Sequence, residues 1–141
     1  EAISGTEASF VTLMNEEAQR LGMTNTNFMN AGGLPDPQHV STVRDLATLA
    51  RRMINDHPEY FPYYSMREFT YNKIKQPNRN RLLWADPSVD GMKTGHTEGA
   101  GYCLVATAKR GDRRVITVLV GSDSMATRAE ESLKLLKKQI M

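Results

Sequence analysis

Two almost uninterrupted apolar stretches, "YCLVATA" at 102–108 and "VITVLV" at 115–120, constrain the fold of this chain most strongly. They are joined by "KRGD" at 109–112, and a glycine next to an aspartate suits a tight hairpin turn. We therefore predict two antiparallel strands at 102–109 and 114–120. Because nearly every position is apolar, rather than every second one, we expect both faces of this hairpin to be buried. Helices are the available cover, which predicts an α+β fold, an antiparallel β-sheet covered by helices.

Helical periodicity predicts three helices around this hairpin. The first is capped by Thr6 and stops at Gly22, the second starts at Ser41 or Thr42 and runs to about residue 56, and the third covers 125–140. Their apolar faces comprise Phe10, Leu13, Met14, Ala18 and Leu21, then Leu46, Leu49, Ala50, Met53 and Ile54, and finally Ala129, Leu133, Leu136 and Ile140. Segment 23–39 is rich in turn residues and predicts a loop. Segment 57–91 predicts loops with one or two short strands, one of them near 68–72, and a further strand is expected at 92–97.

Composition excludes several classes of function. The 141 residues suit one domain or part of a larger one. Basic residues number 18 against 16 acidic ones and are scattered, so nucleic acid is not an expected partner. The single cysteine, Cys103, cannot form an internal disulfide and is expected to be a small buried hydrophobe. No stretch has the roughly 18 apolar residues of a membrane span, and the first ten residues do not have the pattern of a signal peptide.

Common cofactor and metal motifs are not matched. A phosphate-binding loop requires glycine directly before its lysine, whereas Met92 precedes Lys93 here. The glycines at 95, 99 and 101 precede a strand instead of opening a helix, so the dinucleotide fingerprint does not apply. His39, His57 and His96 lie far apart, without a second histidine or cysteine at ligand spacing. We therefore expect neither a cofactor nor a metal.

Lys93-Thr94-Gly95 is the tripeptide that carries functional chemistry. The lysine provides a positive charge, the threonine a hydroxyl that can bind a carboxylate or carbonyl, and the glycine lets an extended peptide approach the strand edge. Side chains alternate along a strand, which places Lys93 and Gly95 on one face and Thr94 on the other. Such a tripeptide is weak evidence alone, and its sequence context is required.

That context resembles a known family. The stretch "DGMKTGHTEGAGYCLVATAKRGDRRVITVLVGSDSMATRAEESLKLL" is similar to the third motif, the following hairpin and the helix of the serine D-alanyl-D-alanine carboxypeptidases, the low-molecular-mass penicillin-binding proteins of peptidase family S11. Upstream, "FVTLMNEEAQRLGMTNTNFMNAGGL", "STVRDLATLARRMI" and "REFTYNKIKQPNRNRLLW" also resemble family segments. The resemblance implies a penicillin-binding-protein/β-lactamase-like, transpeptidase-type domain.

The resemblance also implies an activity and its partners. Members are expected to remove the terminal D-alanine from peptidoglycan pentapeptides through a serine acyl-enzyme, which penicillins also form. The implied partners are stem peptides ending in D-Ala-D-Ala and β-lactam antibiotics. The resemblance further implies that the full-length protein acts on the cell wall, contributes to cell shape, and is periplasmic and associated with the inner membrane.

By resemblance, the catalytic motif is Lys93, Thr94 and Gly95. Substrate binding is expected from Lys93 and Thr94, from His96 and Thr97 farther along the strand edge, and from Arg128 and Arg79. Arg128 corresponds to a family arginine near the terminal carboxylate, although it could also be a surface residue in a first helical turn.

Two family motifs, Ser-x-x-Lys and Ser-x-Asn, have no match in these residues. We therefore expect residues 1–141 to be a partial catalytic domain that begins just past the second motif and has neither the C-terminal domain nor the anchor of the family. Alone, it is expected to be inactive, to expose apolar surface of the hairpin, and to self-associate or bind a complementing N-terminal fragment. The alternative is a non-catalytic module that binds stem peptides or a partner protein along the same strand edge. Transpeptidase and β-lactamase activities also remain open at this point.

Overall fold

The computed structural model describes residues 1–140, and of Ile140 only the backbone. Its elements are α1 (Glu7–Arg20), α2 (Val43–Asp56), a 3₁₀ turn (Phe61–Ser65), β1 (Glu68–Tyr71), β2 (Ile74–Pro77), α3 (Leu82–Ala85), β3 (Val89–Thr97), β4 (Gly101–Arg110), β5 (Arg113–Ser122) and α4 (Met125–Ile140). The three predicted helices and the three predicted longer strands are confirmed, with strand ends extended by one to three residues. The short helix α3 was not predicted, because one turn leaves no periodic pattern. Within residues 1–140, no helix combines the length and apolar character that a membrane crossing requires.

The main sheet has three antiparallel strands in the order β3-β4-β5. Its register pairs Lys93 with Val105, Gly95 with Cys103, and His96 with Tyr102. The strands β1 and β2 form a separate hairpin. Among the described residues, β3 therefore has a partner strand on one side only, and its other edge is free to contact a ligand.

One face of the sheet carries the hydrophobic core. Leu104, Ala106 and Ala108 of β4 are buried there against Leu136 of α4 and Leu82 of α3. The small alanines allow the helix to approach the sheet closely, and the predicted contacts of Ala129 and Leu133 are also observed. The side chain of Ile140, predicted for the same face, lies outside the described residues. The prediction that a helix covers this face is confirmed.

The opposite face is covered less completely. Val105 and its cross-strand partner Val118 are only half-buried, although α2 packs on this side. Leu46 and Leu49 of α2 line an apolar cavity of about 190 Å³ with Val105. Val120, at the end of the second apolar stretch, is 47% exposed. The expected burial of both faces is therefore correct for the α4 side and wrong for the other, because α2 packs mainly on β5 and leaves part of this face uncovered.

The loop between α1 and α2 is fixed by hydrogen bonds. Asn15 of α1 donates to the carbonyl of Phe28 at 2.9 Å and accepts from its amide at 2.7 Å. The buried carboxylate of Asp45 in α2 accepts from the Asn25 amide at 2.9 Å and the Thr26 hydroxyl at 2.7 Å. Buried polar groups that are fully bonded in this way define one loop conformation. The loop then continues to Gly32, which lines the site described next.

Candidate active site

The free edge of β3 forms one wall of a cavity of about 490 Å³. The residues that line it are Gly32, Arg79, Lys93, Thr94, Gly95, His96, Tyr102, Met125 and Arg128. The fold thus brings together six of the seven residues that the sequence singled out, from the loop after β2, from β3 and from the start of α4. Their catalytic and binding roles remain predictions.

Thr97 is the residue that the structure does not place in this cavity. It lines a neighbouring cavity of about 450 Å³ with residues of the 34–39 loop, including His39. Its hydroxyl accepts a hydrogen bond from the Ala100 amide at 3.0 Å and thereby closes the β3–β4 turn. The hydroxyl is engaged in this turn because the chain reverses directly after Thr97.

Lys93 and Thr94 reach the cavity from opposite faces of β3. Lys93 lies opposite Val105 on the α2 side, whereas Thr94 lies opposite Leu104 on the α4 side. The register confirms the predicted alternation, and both side chains reach the same cavity because β3 is an edge strand. The Lys93 ammonium donates to the carbonyl of Thr94 at 2.5 Å. It forms no ion pair with any carboxylate of residues 1–140, so its charge is available to a ligand.

Arg128 is a buried cation in the first turn of α4. It is 5% exposed, which rules out the alternative of a surface residue. Its Nη1 lies 3.4 Å from both the Gly95 and the Cys103 carbonyl oxygens, at the long end of the range for hydrogen bonds. Burial lowers the pKa of the guanidinium, and no carboxylate of residues 1–140 pairs with it. A guanidinium carries five N–H donors, so most of them remain for an anionic ligand.

Asn80 holds the loop that carries Arg79. Asn80 is 2% exposed, donates to the Gly91 carbonyl at 3.0 Å and accepts from the Leu82 amide at 3.2 Å. These bonds connect the loop to the start of β3 and to α3. Sequence reasoning missed Asn80, because an asparagine in a polar loop reads as a solvated turn residue.

Tyr102 was also missed as a site residue. Its ring is stacked on the His96 imidazole, with centroids 3.8 Å apart and planes inclined by 14°. The guanidinium carbon of Arg128 lies 5.5 Å from the centre of the same ring. The sequence placed Tyr102 only at the start of an apolar strand, and the cross-strand register with His96 was the missing information.

The electrostatics of the site favour an anion. Arg79 and Lys93 line the cavity together with Arg128, and Arg81 follows two residues after Arg79. The like charges of Arg81 and Arg79 further lower the pKa of Arg128. None of these four cations is paired with a carboxylate within residues 1–140, in contrast to Arg114, which binds Asp90 through two bonds of 2.8 and 2.9 Å. Residues 1–140 contain no group of three His, Cys, Asp or Glu side chains suited to a metal ion. The arrangement can therefore bind a carboxylate at Arg128 and an extended chain along β3.

Comparisons with known proteins agree with this geometry. Residues 1–124 match the peptidase S11 family model, described as D-alanyl-D-alanine carboxypeptidase. The chain is 51% identical over 135 residues to D-alanyl-D-alanine carboxypeptidase DacC of Escherichia coli K12, covering 95% of this chain and 34% of that protein. The structure of penicillin binding protein 5 from Haemophilus influenzae superposes with a TM-score of 0.93 at 49% identity, over 96% of this chain and 40% of that one. Penicillin-binding protein D2 from Listeria monocytogenes in its ampicillin-bound form gives 0.85 at 38% identity, over 91% and 54%. The chain spans about a third of the length of the curated relatives it matches.

Proposed function

The chain belongs to the peptidase S11 family of D-alanyl-D-alanine carboxypeptidases and has the α+β fold of penicillin-binding proteins, and from this premise we propose that it forms the Lys-Thr-Gly side of a carboxypeptidase active site. The substrate is a peptidoglycan stem that ends in D-Ala-D-Ala. One observation carries the proposal: Arg128, which is buried, and Lys93 share one cavity at a free strand edge, and neither is paired with a carboxylate of residues 1–140. Because the substrate belongs to the cell wall, the proposed place of action is the periplasm, with the full-length protein associated with the inner membrane.

Substrate binding follows from the strand edge. An extended stem peptide adds to β3 through main-chain hydrogen bonds, and its terminal carboxylate is bound by Arg128 with help from the Thr94 hydroxyl. A Cβ built on Gly95 would meet no protein atom within 4 Å, so the fold does not itself require glycine there. The absence of a side chain keeps the space beside the strand open for the ligand.

The proposed reaction is acyl transfer. A serine hydroxyl attacks the carbonyl between the two D-alanines, an ester forms, and the terminal D-alanine leaves as the amine takes up a proton. Water then hydrolyses the ester. Lys93 contributes a positive charge that stabilises the negative charge developing in the transition state.

The attacking serine is not assigned to any residue of the chain. None of the eight serines is followed three positions later by lysine, and no serine lines the cavity. We propose that this residue belongs to the Ser-x-x-Lys motif of the family and that the 141 residues alone are inactive. β-Lactams would acylate the same serine, and the ampicillin-bound Listeria relative supports β-lactam binding at a site of this fold.

Labelling with a fluorescent penicillin tests the proposal. The chain alone is compared with a chimera of E. coli DacC in which the matched segment is replaced by residues of this chain. We expect covalent labelling of the chimera and none of the chain alone, because the nucleophile comes from the host. A folded chimera that remains unlabelled would contradict the proposal and favour the alternative of a non-catalytic peptide-binding module.

A further inference from the structure

Tyr102 contacts two site residues, His96 and Arg128. Its ring is stacked on the imidazole, with centroids 3.8 Å apart, and the Arg128 guanidinium carbon lies 5.5 Å from the ring centre. His96 is itself fixed, since its Nδ1 lies 3.1 Å from the carbonyl oxygen of Gly101. The Tyr102 ring in β4 therefore contacts both a side chain of the edge strand and a side chain at the start of α4.

Few polar contacts fix the orientation of Arg128 within residues 1–140. The described residues offer its guanidinium no carboxylate, and its two main-chain acceptors lie at 3.4 Å, where hydrogen bonds are weak. An arginine side chain has several rotatable bonds, so holding it in one rotamer costs conformational entropy. A cation on an aromatic face is stabilised electrostatically by the ring, and the Tyr102 ring provides this contact to Arg128.

An aromatic partner also preserves the charge that a ligand needs. A carboxylate neighbour would hold the guanidinium equally well, but it would neutralise the cation and occupy its N–H donors. The aromatic face attracts the cation and leaves the edge of the guanidinium, where the N–H groups lie, accessible. No hydrogen bond of the Tyr102 hydroxyl is found within residues 1–140, so the ring itself provides the contact.

We propose that Tyr102 is a positioning residue, which holds Arg128 in the orientation that binds the terminal carboxylate of the substrate and is itself held by His96. This inference rests on the proposed function, because it assumes that Arg128 is the carboxylate receptor. It predicts that the ring of Tyr102 is required for affinity toward an acid, whereas its hydroxyl is not.

The test measures binding of two probes to the 141-residue chain. N-acetyl-D-Ala-D-Ala carries the terminal carboxylate, and its C-terminal amide is the uncharged match. Tyr102→Phe keeps the ring and should leave both Kd values unchanged. Tyr102→Leu should raise the Kd of the acid by about three- to tenfold and leave that of the amide unchanged. Tyr71→Leu, at a 69% exposed tyrosine of the β1–β2 hairpin, is the matched control and should alter neither value.

A second readout reports the contact between Tyr102 and Arg128 directly. The NMR signal of the Arg128 Nε–H group should carry a ring-current shift that persists in Tyr102→Phe and disappears in Tyr102→Leu. Tyr102→Met, of closer volume, takes the place of the leucine variant if that variant does not melt cooperatively. A merely structural role for Tyr102 would change the melting temperature without changing the ratio of acid to amide affinity.

The outcomes separate the two proposals. If the wild type does not prefer the acid over the amide, the proposed function fails, and the Nε–H shift alone then decides whether Tyr102 positions Arg128. If the wild type prefers the acid and Tyr102→Leu keeps both the full preference and the Nε–H shift, the positioning role is overturned while the proposed function stands. Loss of acid affinity in Tyr102→Phe would likewise overturn it, since the hydroxyl and not the ring would then be required.

Discussion

Arg128, in the first turn of α4, donates through Nη1 to the main-chain carbonyl of Gly95 in β3 over 3.4 Å. This contact joins residues 33 positions apart in the sequence and places the buried guanidinium directly beside the Lys-Thr-Gly strand. The last helix therefore does more than cover the sheet, since its N-terminal turn places a buried guanidinium at the proposed anion-binding end of the site.

The first prediction is that Arg128 binds a ligand at the expense of stability. A buried cation without a partner is costly, and a methionine of similar length preserves the packing of its aliphatic portion. We expect Arg128→Met to leave the free energy of unfolding unchanged or to raise it by about 1 kcal/mol, while the affinity for N-acetyl-D-Ala-D-Ala falls at least about tenfold. Chemical denaturation and isothermal titration measure the two quantities. Arg51→Met, at an exposed position of α2, should change neither, and a loss of about 2 kcal/mol or more in Arg128→Met would contradict the prediction.

The second prediction concerns the anchor of the Arg79 loop. Removal of the Asn80 amide leaves the buried Gly91 carbonyl and the Leu82 amide without their partners. Each such group costs about 1–3 kcal/mol, so Asn80→Ala should lower the free energy of unfolding by about 2–4 kcal/mol. Asn55→Ala, on the exposed surface of α2, is the matched control and should remain within about 0.5 kcal/mol of the wild type. Equal unfolding midpoints for the two variants would show that Asn80 does not hold the loop.

The third prediction concerns the backbone beside Tyr102. Gly101 has φ +75°, and a Cβ there would lie 2.9 Å from the Cα of Gly121 and 3.0 Å from the Ser122 carbonyl oxygen. Both obstacles are backbone atoms, so Gly101→Ala should destabilise the chain by about 2–4 kcal/mol. Gly99→Ala, in the same turn, meets no atom within 4 Å and has no positive φ, so it should be tolerated. Thermal melting compares the pair, and a Gly101→Ala variant as stable as Gly99→Ala would disprove the close approach of the strands.

The fourth prediction is a dependence of stability on pH. Hydrogen bonds from the Ser88 hydroxyl at 2.6 Å and from the Ser88 amide at 2.9 Å lower the pKa of Asp86 below its ordinary 3.8, and Arg110 contributes further. A lowered pKa in the folded state stabilises the fold above the unfolded pKa, and this contribution is lost as the pH falls through the folded pKa.

We therefore expect Asp86→Asn to lower the free energy of unfolding by about 1–3 kcal/mol at pH 6–7. The difference from the wild type should shrink below about pH 4. Ser88→Ala should likewise reduce the pH-dependent part of the free energy of unfolding, whereas Asp112→Asn, at an exposed position of the β4–β5 turn, should leave it unchanged. A difference between wild type and Asp86→Asn that is constant from pH 7 to pH 2 would exclude an ionic contribution. Urea titrations at several pH values measure it.

Much of this fold is encoded in local periodicity. Helix α2 could be predicted because its apolar side chains recur on one face and Thr42 caps its start, with its hydroxyl accepting from the Asp45 amide. The β4–β5 hairpin could be predicted because two apolar runs flank a turn. The incomplete coverage of the α2 side of the sheet could not be predicted, because the pattern shows which residues prefer burial but not which element buries them.

The site was predictable only where a contiguous motif or the family resemblance identified it. Lys93, Thr94 and Gly95 lie together in sequence, and the family resemblance added Arg128 and Arg79 before the structure placed them at one cavity. Asn80 and Tyr102 make their contacts with other elements of the fold, with β3 in both cases and with α4 for Tyr102, so no local pattern marks them. Thr97 was predicted as a site residue because it continues the motif strand, but its hydroxyl accepts a hydrogen bond within the β3–β4 turn and does not line the cavity.

Release of D-alanine by the DacC chimera tests the central claim most directly. An N-acetylated peptide ending in D-Ala-D-Ala serves as substrate, and D-amino acid oxidase detects the product. We expect kcat/KM within about tenfold of unmodified DacC, a loss of about 100-fold or more in the Lys93→Ala chimera, and no change in the chimera with Lys109→Ala, an exposed lysine at the end of β4. A folded chimera that releases no D-alanine, or one whose activity survives Lys93→Ala intact, would contradict the assignment of this strand edge to a carboxypeptidase active site.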